Sequence, residues 1–350
     1  MKKNSRLRSR RDAYIRYLYR VENSRVRSGW KKAVLILLPV FCILSFLYWY
    51  VMIAGAPQLN GPEAIALHAP YDGEIPAANA IAQDTPLSYQ IQTYNSQVMR
   101  GERTYGISLP PSYAQNTQQR YPVIFLLHGG HGYPSDWFEK GVALPVLEQL
   151  YATGKLPPSI IITPDGNDKR GSSPFFDPEY IDGANGRVNT AIGNELVKVV
   201  KSRYRTLPTP NFWAMGGLSS GGWGALNIGL HHLNHFSVLF SHSGYFRDRS
   251  GAENSPILYI KKIPKAARSR LRIYLDAGEQ DGKFLEESKK FAQVLNQLKI
   301  AHVFYEFPGG HGIIGADSGW NYWHKHLADS LTYVGQQFPK ASSITPKKLP

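Results

Sequence analysis

Cysteine is almost missing from this chain: Cys42 is the only one in 350 residues. No intrachain disulfide can form, and no cysteine-based metal site exists. Cys42 lies within an apolar run and is read as a small hydrophobe. Lys and Arg are absent from residue 33 to residue 99, and no charge of either sign interrupts Ala33–Ala54. Charged residues make up only 19% of the chain against 43% hydrophobic ones, a balance that excludes wholesale disorder. The formal net charge of +14 would suggest nucleic acid if it were spread over a soluble domain. It is not spread that way. Residues 1–32 hold twelve Lys or Arg against Asp12 and Glu22, and the remainder is nearly balanced. Nucleic acid is therefore not an expected partner.

The uncharged run is 22 residues long, about 33 Å as a helix, which matches a bilayer core. Trp30 precedes it and Tyr48-Trp49-Tyr50 lies near its far end, where interfacial aromatics belong. With all the nearby cationic residues on its N-terminal side, the positive-inside rule puts that end in the cytoplasm and the body on the extracytoplasmic side. Ala54-Gly55-Ala56 resembles a signal-peptide cleavage site. The long basic region, the length of the apolar run and Pro57 at the resulting terminus favour an uncleaved anchor. The expected organisation is a basic cytoplasmic tail (1–32), a transmembrane helix (33–54), a Pro-rich linker (55–86), a catalytic domain (87–338) and a polar tail (339–350). The linker contains five prolines, four acids and no Lys or Arg, which suits an extended spacer.

From about residue 87, short apolar runs alternate with helical patterns, which predicts an α/β fold. Strands are expected at 121–127, 159–163, 212–216, 236–241, 271–275 and 302–307. Helices are expected at 194–204, 222–232, 282–298 and 321–337. This order suits a mostly parallel sheet with helices on both faces, whose chemistry sits at the carboxyl ends of its strands.

Four loops at such ends carry the chemistry. Gly217-Leu218-Ser219-Ser220-Gly221 fits G-x-S-x-G, a tight strand-to-helix turn that projects a serine hydroxyl. Ser219 holds the nucleophile position, and the Ser220 N–H suits an oxyanion donor. A serine needs a base, and His311, in Gly309-Gly310-His311-Gly312 after the last strand, is best placed. His324 and His326 fall on the closing helix as packing or surface residues. His231 and His235 have metal-ligand spacing, but no third ligand is evident, so no metal site is expected. The base needs an acid to fix its tautomer. Asp281 is favoured, with Asp276 and Glu279 in the same loop as alternates. The order Ser, Asp, His is that of α/β-hydrolases. His128-Gly129-Gly130-His131-Gly132 follows an apolar strand, and its glycines can turn backbone N–H groups toward an oxyanion. Gly129 and Gly130 are the candidate donors, and which of them donates stays open.

These loops, in this order, resemble the esterase D-like branch of the α/β-hydrolases, which includes S-formylglutathione hydrolases, feruloyl, acetyl-xylan and enterochelin esterases, and mycolyltransferases. The likeness covers about residues 88–338. It extends to Arg103–Tyr113, Pro122–Gly130, Pro164-Asp165-Gly166, Glu195–Thr206 and Ser241–Gly244. Ser220 stands where methionine is common, and the interval from His311 to Trp320 is long. Residues 165–190 form a polar stretch with Phe175, Phe176 and Tyr180 that suits the wall of a substrate pocket. The resemblance implies an α/β-hydrolase fold behind the transmembrane helix. It also implies a serine esterase that needs no cofactor and takes a small-molecule, lipid or glycan ester. Two alternatives stand beside it: an acyltransferase to an envelope sugar or lipid acceptor, and a catalytically silent envelope-binding protein.

Overall fold

The computed structural model describes residues 37–46, 86–172, 180–312 and 315–339. The chain divides into two compact units, residues 1–54 and 55–350. In the first, residues 37–46 form helix α1, with Leu37, Phe41 and Phe46 exposed. The rest of the expected membrane segment, the basic tail, most of the linker and nearly all of the C-terminal tail lie outside the described residues. Among the described residues, no helix is long and apolar enough to cross a membrane.

The second unit opens with β1 (Gln90–Ser96), β2 (Gly101–Ser108), β3 (Val123–Leu127), α2 (Asp136–Glu139), α3 (Ala143–Ala152) and β4 (Ile160–Pro164). A small hairpin follows, β5 (Asp182–Gly183) and β6 (Gly186–Arg187). Next comes a helix in three parts: α4 (Val188–Thr190), a π-helical turn (Ala191–Leu196) and α5 (Val197–Arg203). Then come β7 (Trp213–Leu218), α6 (Ser220–His231), β8 (Val238–His242), α7 (Pro256–Tyr259) and α8 (Lys265–Arg268). The unit closes with β9 (Arg272–Gly278), α9 (Lys283–Gln297), β10 (Ala301–Phe307) and α10 (Trp320–Gln337). The main sheet has eight strands in the order β1-β2-β4-β3-β7-β8-β9-β10. Strands β4, β3, β7, β8, β9 and β10 run parallel, while β1 and β2 pair antiparallel with each other and β2 with β4.

The strand sequences explain this layout. Every residue of β3, β4, β7 and β8 is buried, as a strand covered on both faces requires. A fully buried Val, Leu, Ile or Phe side chain contributes about 1.5–3 kcal/mol, so these strands anchor the core. Neighbouring residues on a strand point to opposite faces, and β8 illustrates it. Ser241 lies against Gly222 at the start of α6, whereas His242 reaches Ser330 of α10. Helix α9 is amphipathic, burying Phe291, Ala292, Val294 and Leu295. The parallel strands and long helices lie within a few residues of their expected positions. The antiparallel β1 and helix α3 were not read from the periodicity.

Tyr180 is not part of the pocket wall that its stretch had suggested. Tyr180 is fully buried and so cannot line an open pocket. Its side chain fills the space left by two glycines, since a Cβ at Gly166 would lie 2.3 Å from its hydroxyl oxygen and one at Gly224 2.4 Å from its ring. Its hydroxyl donates to the His128 carbonyl at 2.7 Å. Phe175 and Phe176, its proposed companions, lie outside the described residues. Gly224→Ala is accordingly expected to overpack this contact at a cost of about 1–3 kcal/mol. Urea unfolding should show a lower midpoint with an unchanged slope.

Candidate active site

Ser219 sits between β7 and α6 with φ 52° and ψ −121°, a conformation uncommon for a residue with a side chain. Backbone packing compels it. A Cβ on Gly217 would lie 2.6 Å from both the Gly221 and Leu127 carbonyl oxygens, and one on Gly221 would lie 2.3 Å from that of His128. Only glycines let the end of β7, the start of α6 and the end of β3 approach this closely. The turn is fastened by hydrogen bonds. Ser219 N–H donates to the His242 carbonyl at 2.9 Å, and Trp223 N–H donates to the Ser219 carbonyl at 3.1 Å.

The three residues singled out as nucleophile, base and acid come together. Ser219 Oγ lies 2.9 Å from His311 Nε2, and His311 Nδ1 lies 2.8 Å from Asp281 Oδ1. With Nδ1–H donating to the carboxylate, Nε2 is free to accept the serine proton. The His311 ring stacks on Phe284 at 4.1 Å and takes the edge of Trp323 at 5.2 Å. Its side chain is about one quarter exposed, open enough to meet a substrate.

Asp281 is buried and fully engaged. Oδ1 also accepts the His311 backbone N–H, while Oδ2 accepts Ser243 Oγ–H at 2.5 Å and Gly278 N–H at 2.8 Å. Burial pushes its pKa up, but the hydrogen bonds and charge interaction with His311 and the bond from Ser243 outweigh that and hold it below the usual value. The two alternate acids are placed elsewhere. Glu279 is exposed. Asp276 is fully buried, 2.6 Å from His242 Nδ1 and 3.0 Å from the Tyr322 hydroxyl. Ser330 Oγ completes this group at 2.9 Å from His242 Nε2. A second Ser–His–Asp set thus lies beneath the first, sealed from solvent. It fixes the end of β8, whose His242 carbonyl holds Ser219 and which is followed by Ser243, the residue that holds Asp281.

The loop after β3 lies directly against Ser219. A Cβ on Gly129 would stand 2.5 Å from Leu218 Cδ1 and 3.5 Å from Ser219 Cβ. His128 is structural. Nδ1–H donates to the Gly129 carbonyl and Nε2 accepts Gly166 N–H, both at 2.9 Å. That clamp orients Gly129 and Gly130. Ser220 is the first residue of α6, so its N–H has no intrahelical acceptor, and the helix dipole adds positive potential there.

The four histidines already set aside make contacts away from Ser219. His324 Nδ1 bonds the Gly141 carbonyl at 3.0 Å, and His326 stacks on Phe307 at 3.8 Å. His231 stacks on Tyr259 at 4.0 Å, and His235 lies 3.4 Å from Lys201 Nζ, a poor setting for a cation. Sequence reasoning missed Ser243, His242, Phe284 and Trp323 as neighbours of the site. Ser243 was within reach, since it lies in the Ser-x-Ser-Gly stretch already noted.

The fold is that of the α/β-hydrolases, and the Ser219, His311, Asp281 arrangement is the one a serine nucleophile would need. The profile of the family described as "Putative esterase" matches residues 96–334, and the chain belongs to that family of carboxylic-ester hydrolases. An uncharacterised protein of Corynebacterium glutamicum is 29% identical over 249 residues, 65% of this chain and 56% of that protein. The acetyl esterase of Caldicellulosiruptor saccharolyticus is 25% identical over 61% of this chain and 83% of its own length. The chain therefore spans little more than half of the first relative and most of the second. A ferulic acid esterase structure is 27% identical, with a TM-score of 0.65 over 73% of this chain and 100% of that one. The Shigella flexneri enterobactin esterase, 23% identical with a TM-score of 0.55 over 73% of this chain and 60% of its own, shares the fold.

The depressed pKa of Asp281 makes a stability prediction. Its ionised form favours the fold above the unfolded carboxylate value, and that contribution is lost as pH falls through the lower folded value. Ser243→Ala removes one bond that lowers the folded value. Acid unfolding, followed by tryptophan fluorescence, should therefore begin at higher pH in the variant.

Proposed function

We propose that this chain is a membrane-tethered, extracytoplasmic serine esterase. The observation that carries the reading is the continuous path Ser219 Oγ, His311, Asp281, with distances of 2.9 and 2.8 Å. Ser219 Oγ attacks the acyl carbon of an ester while Nε2 of His311 takes its proton. The imidazolium that forms is steadied by Asp281, whose own bonds from Ser243 and Gly278 keep it ionised and aimed. The carbonyl oxygen, now carrying the charge, is met by backbone N–H groups of Gly129 or Gly130 and of Ser220. Collapse of the tetrahedral adduct expels the alcohol, which leaves with the proton returned by His311. Water then adds to the acyl-enzyme by the same route, releasing the acid and restoring Ser219.

The tether rests on the sequence: twelve Lys or Arg precede Ala33–Ala54, and none follows until Arg100. The acyl group is not assigned. The named relatives act on acetyl, feruloyl and enterobactin esters, and nothing around Ser219 chooses among them.

The full chain should hydrolyse p-nitrophenyl acetate and be labelled at Ser219 by a fluorophosphonate. Ser219→Ala should abolish labelling and lower kcat by about 10⁴-fold or more, and Asp281→Asn by about 10⁴-fold with the fold intact. Hydrolysis that survives in Ser219→Ala would overturn the assignment.

A further inference from the structure

The charge of the second unit is divided between the two ends of its sheet. The segments that lead into the parallel strands, with the turn from β2 to β3, are 109–122, 153–159, 204–212, 232–237, 260–271 and 298–300. Together they contain nine Lys or Arg and no Asp or Glu. The segments that leave the strands at the catalytic end are the reverse. Among the described residues of 128–142, 165–187, 243–255, 279–282 and 308–319 there are ten Asp or Glu against six Lys or Arg.

The basic residues form one surface because the sheet register places them side by side. Tyr121 bridges Thr206, whose carbonyl accepts from Arg120, and Arg205 lies over the Tyr113 ring at 3.7 Å. Val238 pairs with Arg272, and Arg272 with Ala301, next to Lys299. Arg270 lines a shallow cleft with Pro210, Asn211 and Phe236, which joins the β7 and β9 sides. Lys261, Lys265, Arg270 and Lys299 are exposed. Lys262 is paired with Glu253, which comes from the segment after β8. Apart from Glu253 on Lys262, the six segments bring this face no acid, and their mutual repulsion gains nothing for folding. It is matched by a broad anionic surface rather than by a single anion.

We propose that this face docks on an anionic phospholipid bilayer. The choice of a bilayer over a soluble polyanion rests on the tether reading, because a tether holds the unit within reach of lipid headgroups. The docking does not depend on the esterase reading. Basic residues near an anionic membrane each add to the attraction, and the attraction fades within a Debye length. Ser219 lies at the far end of β7, about 20 Å from the basic end. Docking therefore turns the catalytic end away from the bilayer, toward soluble or wall-bound esters and away from the lipids themselves.

The test uses the full chain with Cys42→Ser and one new cysteine carrying an environment-sensitive fluorophore. The cysteine is placed at exposed Ser269 on the basic face or at exposed Ser250 on the catalytic side. The protein is reconstituted into vesicles of phosphatidylcholine alone or with about 30% phosphatidylglycerol. The expected result is a blue shift and quenching by spin-labelled lipid at position 269 only, in the anionic vesicles only. Both should be reversed by about 0.5 M salt. Replacing Lys261, Lys265, Arg270 and Lys299 by Glu should abolish the response, and the Gln set should reduce it. Hydrolysis of p-nitrophenyl acetate should be unchanged in both sets, which checks their folding, and the salt arm needs no variant. A water-like probe at 269 in anionic vesicles, or an equal response at 250, overturns the proposal. So does a response to dextran sulfate but not to phosphatidylglycerol, which would assign the face to a soluble acidic polymer. Flotation with phosphatidylcholine vesicles tests the tether separately. A chain that floats only with anionic vesicles, with its 269 probe buried, keeps the docking face and loses the tether.

Discussion

Everything at the catalytic end depends on how closely three backbones meet around Ser219. The ends of β3 and β7 and the first turn of α6 touch at Gly217 and Gly221, where a methyl group would stand 2.3 to 2.6 Å from carbonyl oxygens. That contact forces the positive φ of Ser219 and points its hydroxyl out of the sheet. It also brings the Gly129 loop beside the nucleophile and exposes the first N–H groups of α6 at the same spot. One packing constraint thus positions Ser219 and the candidate oxyanion donors together.

A strained turn persists only where its surroundings hold it, and here β8 is what holds it. The His242 carbonyl receives the Ser219 N–H, the Ser243 hydroxyl grips Asp281, and the Ser243 N–H is bonded to the Asp276 carbonyl at 2.8 Å. Below them Asp276, His242, Tyr322 and Ser330 form a sealed polar group that ties β8 and β9 to α10. Each buried polar atom that finds a partner avoids a penalty of about 1–3 kcal/mol. The network therefore fixes the register of these elements more sharply than apolar packing alone. Its residue types repeat those of the site above, yet none of its atoms reaches solvent. Composition cannot separate the two sets, whereas burial does.

That contrast marks what the sequence could and could not reveal. Ser219, His311 and Asp281 were legible because each sits in a glycine-bearing loop just after an apolar run, and strand ends are where such folds gather chemistry. The choice among Asp276, Glu279 and Asp281 was legible only as a preference, since all three lie within one turn of each other in the chain. Only the path of the loop decides which carboxylate faces the imidazole. Tyr180 was misjudged because an aromatic in a polar, glycine-rich stretch looks like a pocket wall. Its destination depends on Gly166 in the same stretch and on Gly224, far along the chain, which together leave room for it. The antiparallel β1 was missed for a related reason. It is an edge strand with few buried residues, so its pattern carries little periodic signal.

Charge is the property whose pattern became visible only in three dimensions. Along the chain, basic residues after position 100 are partly clustered, as in Lys261–Arg272, and partly scattered among acids. The parallel topology sorts them, because every helix-to-strand connection returns to the end of the sheet where the parallel strands begin. The five returning segments and the turn from β2 to β3 are free of acids, while the described outgoing ones carry an excess of them. A requirement at the catalytic end alone would account for acids there and for nothing at the other end. The absence of even one acid among the basic segments needs its own cause, and a large anionic surface supplies one. The same arrangement would keep the nucleophile about a strand length from lipid, so an enzyme held at a membrane could still act on esters that are not part of it.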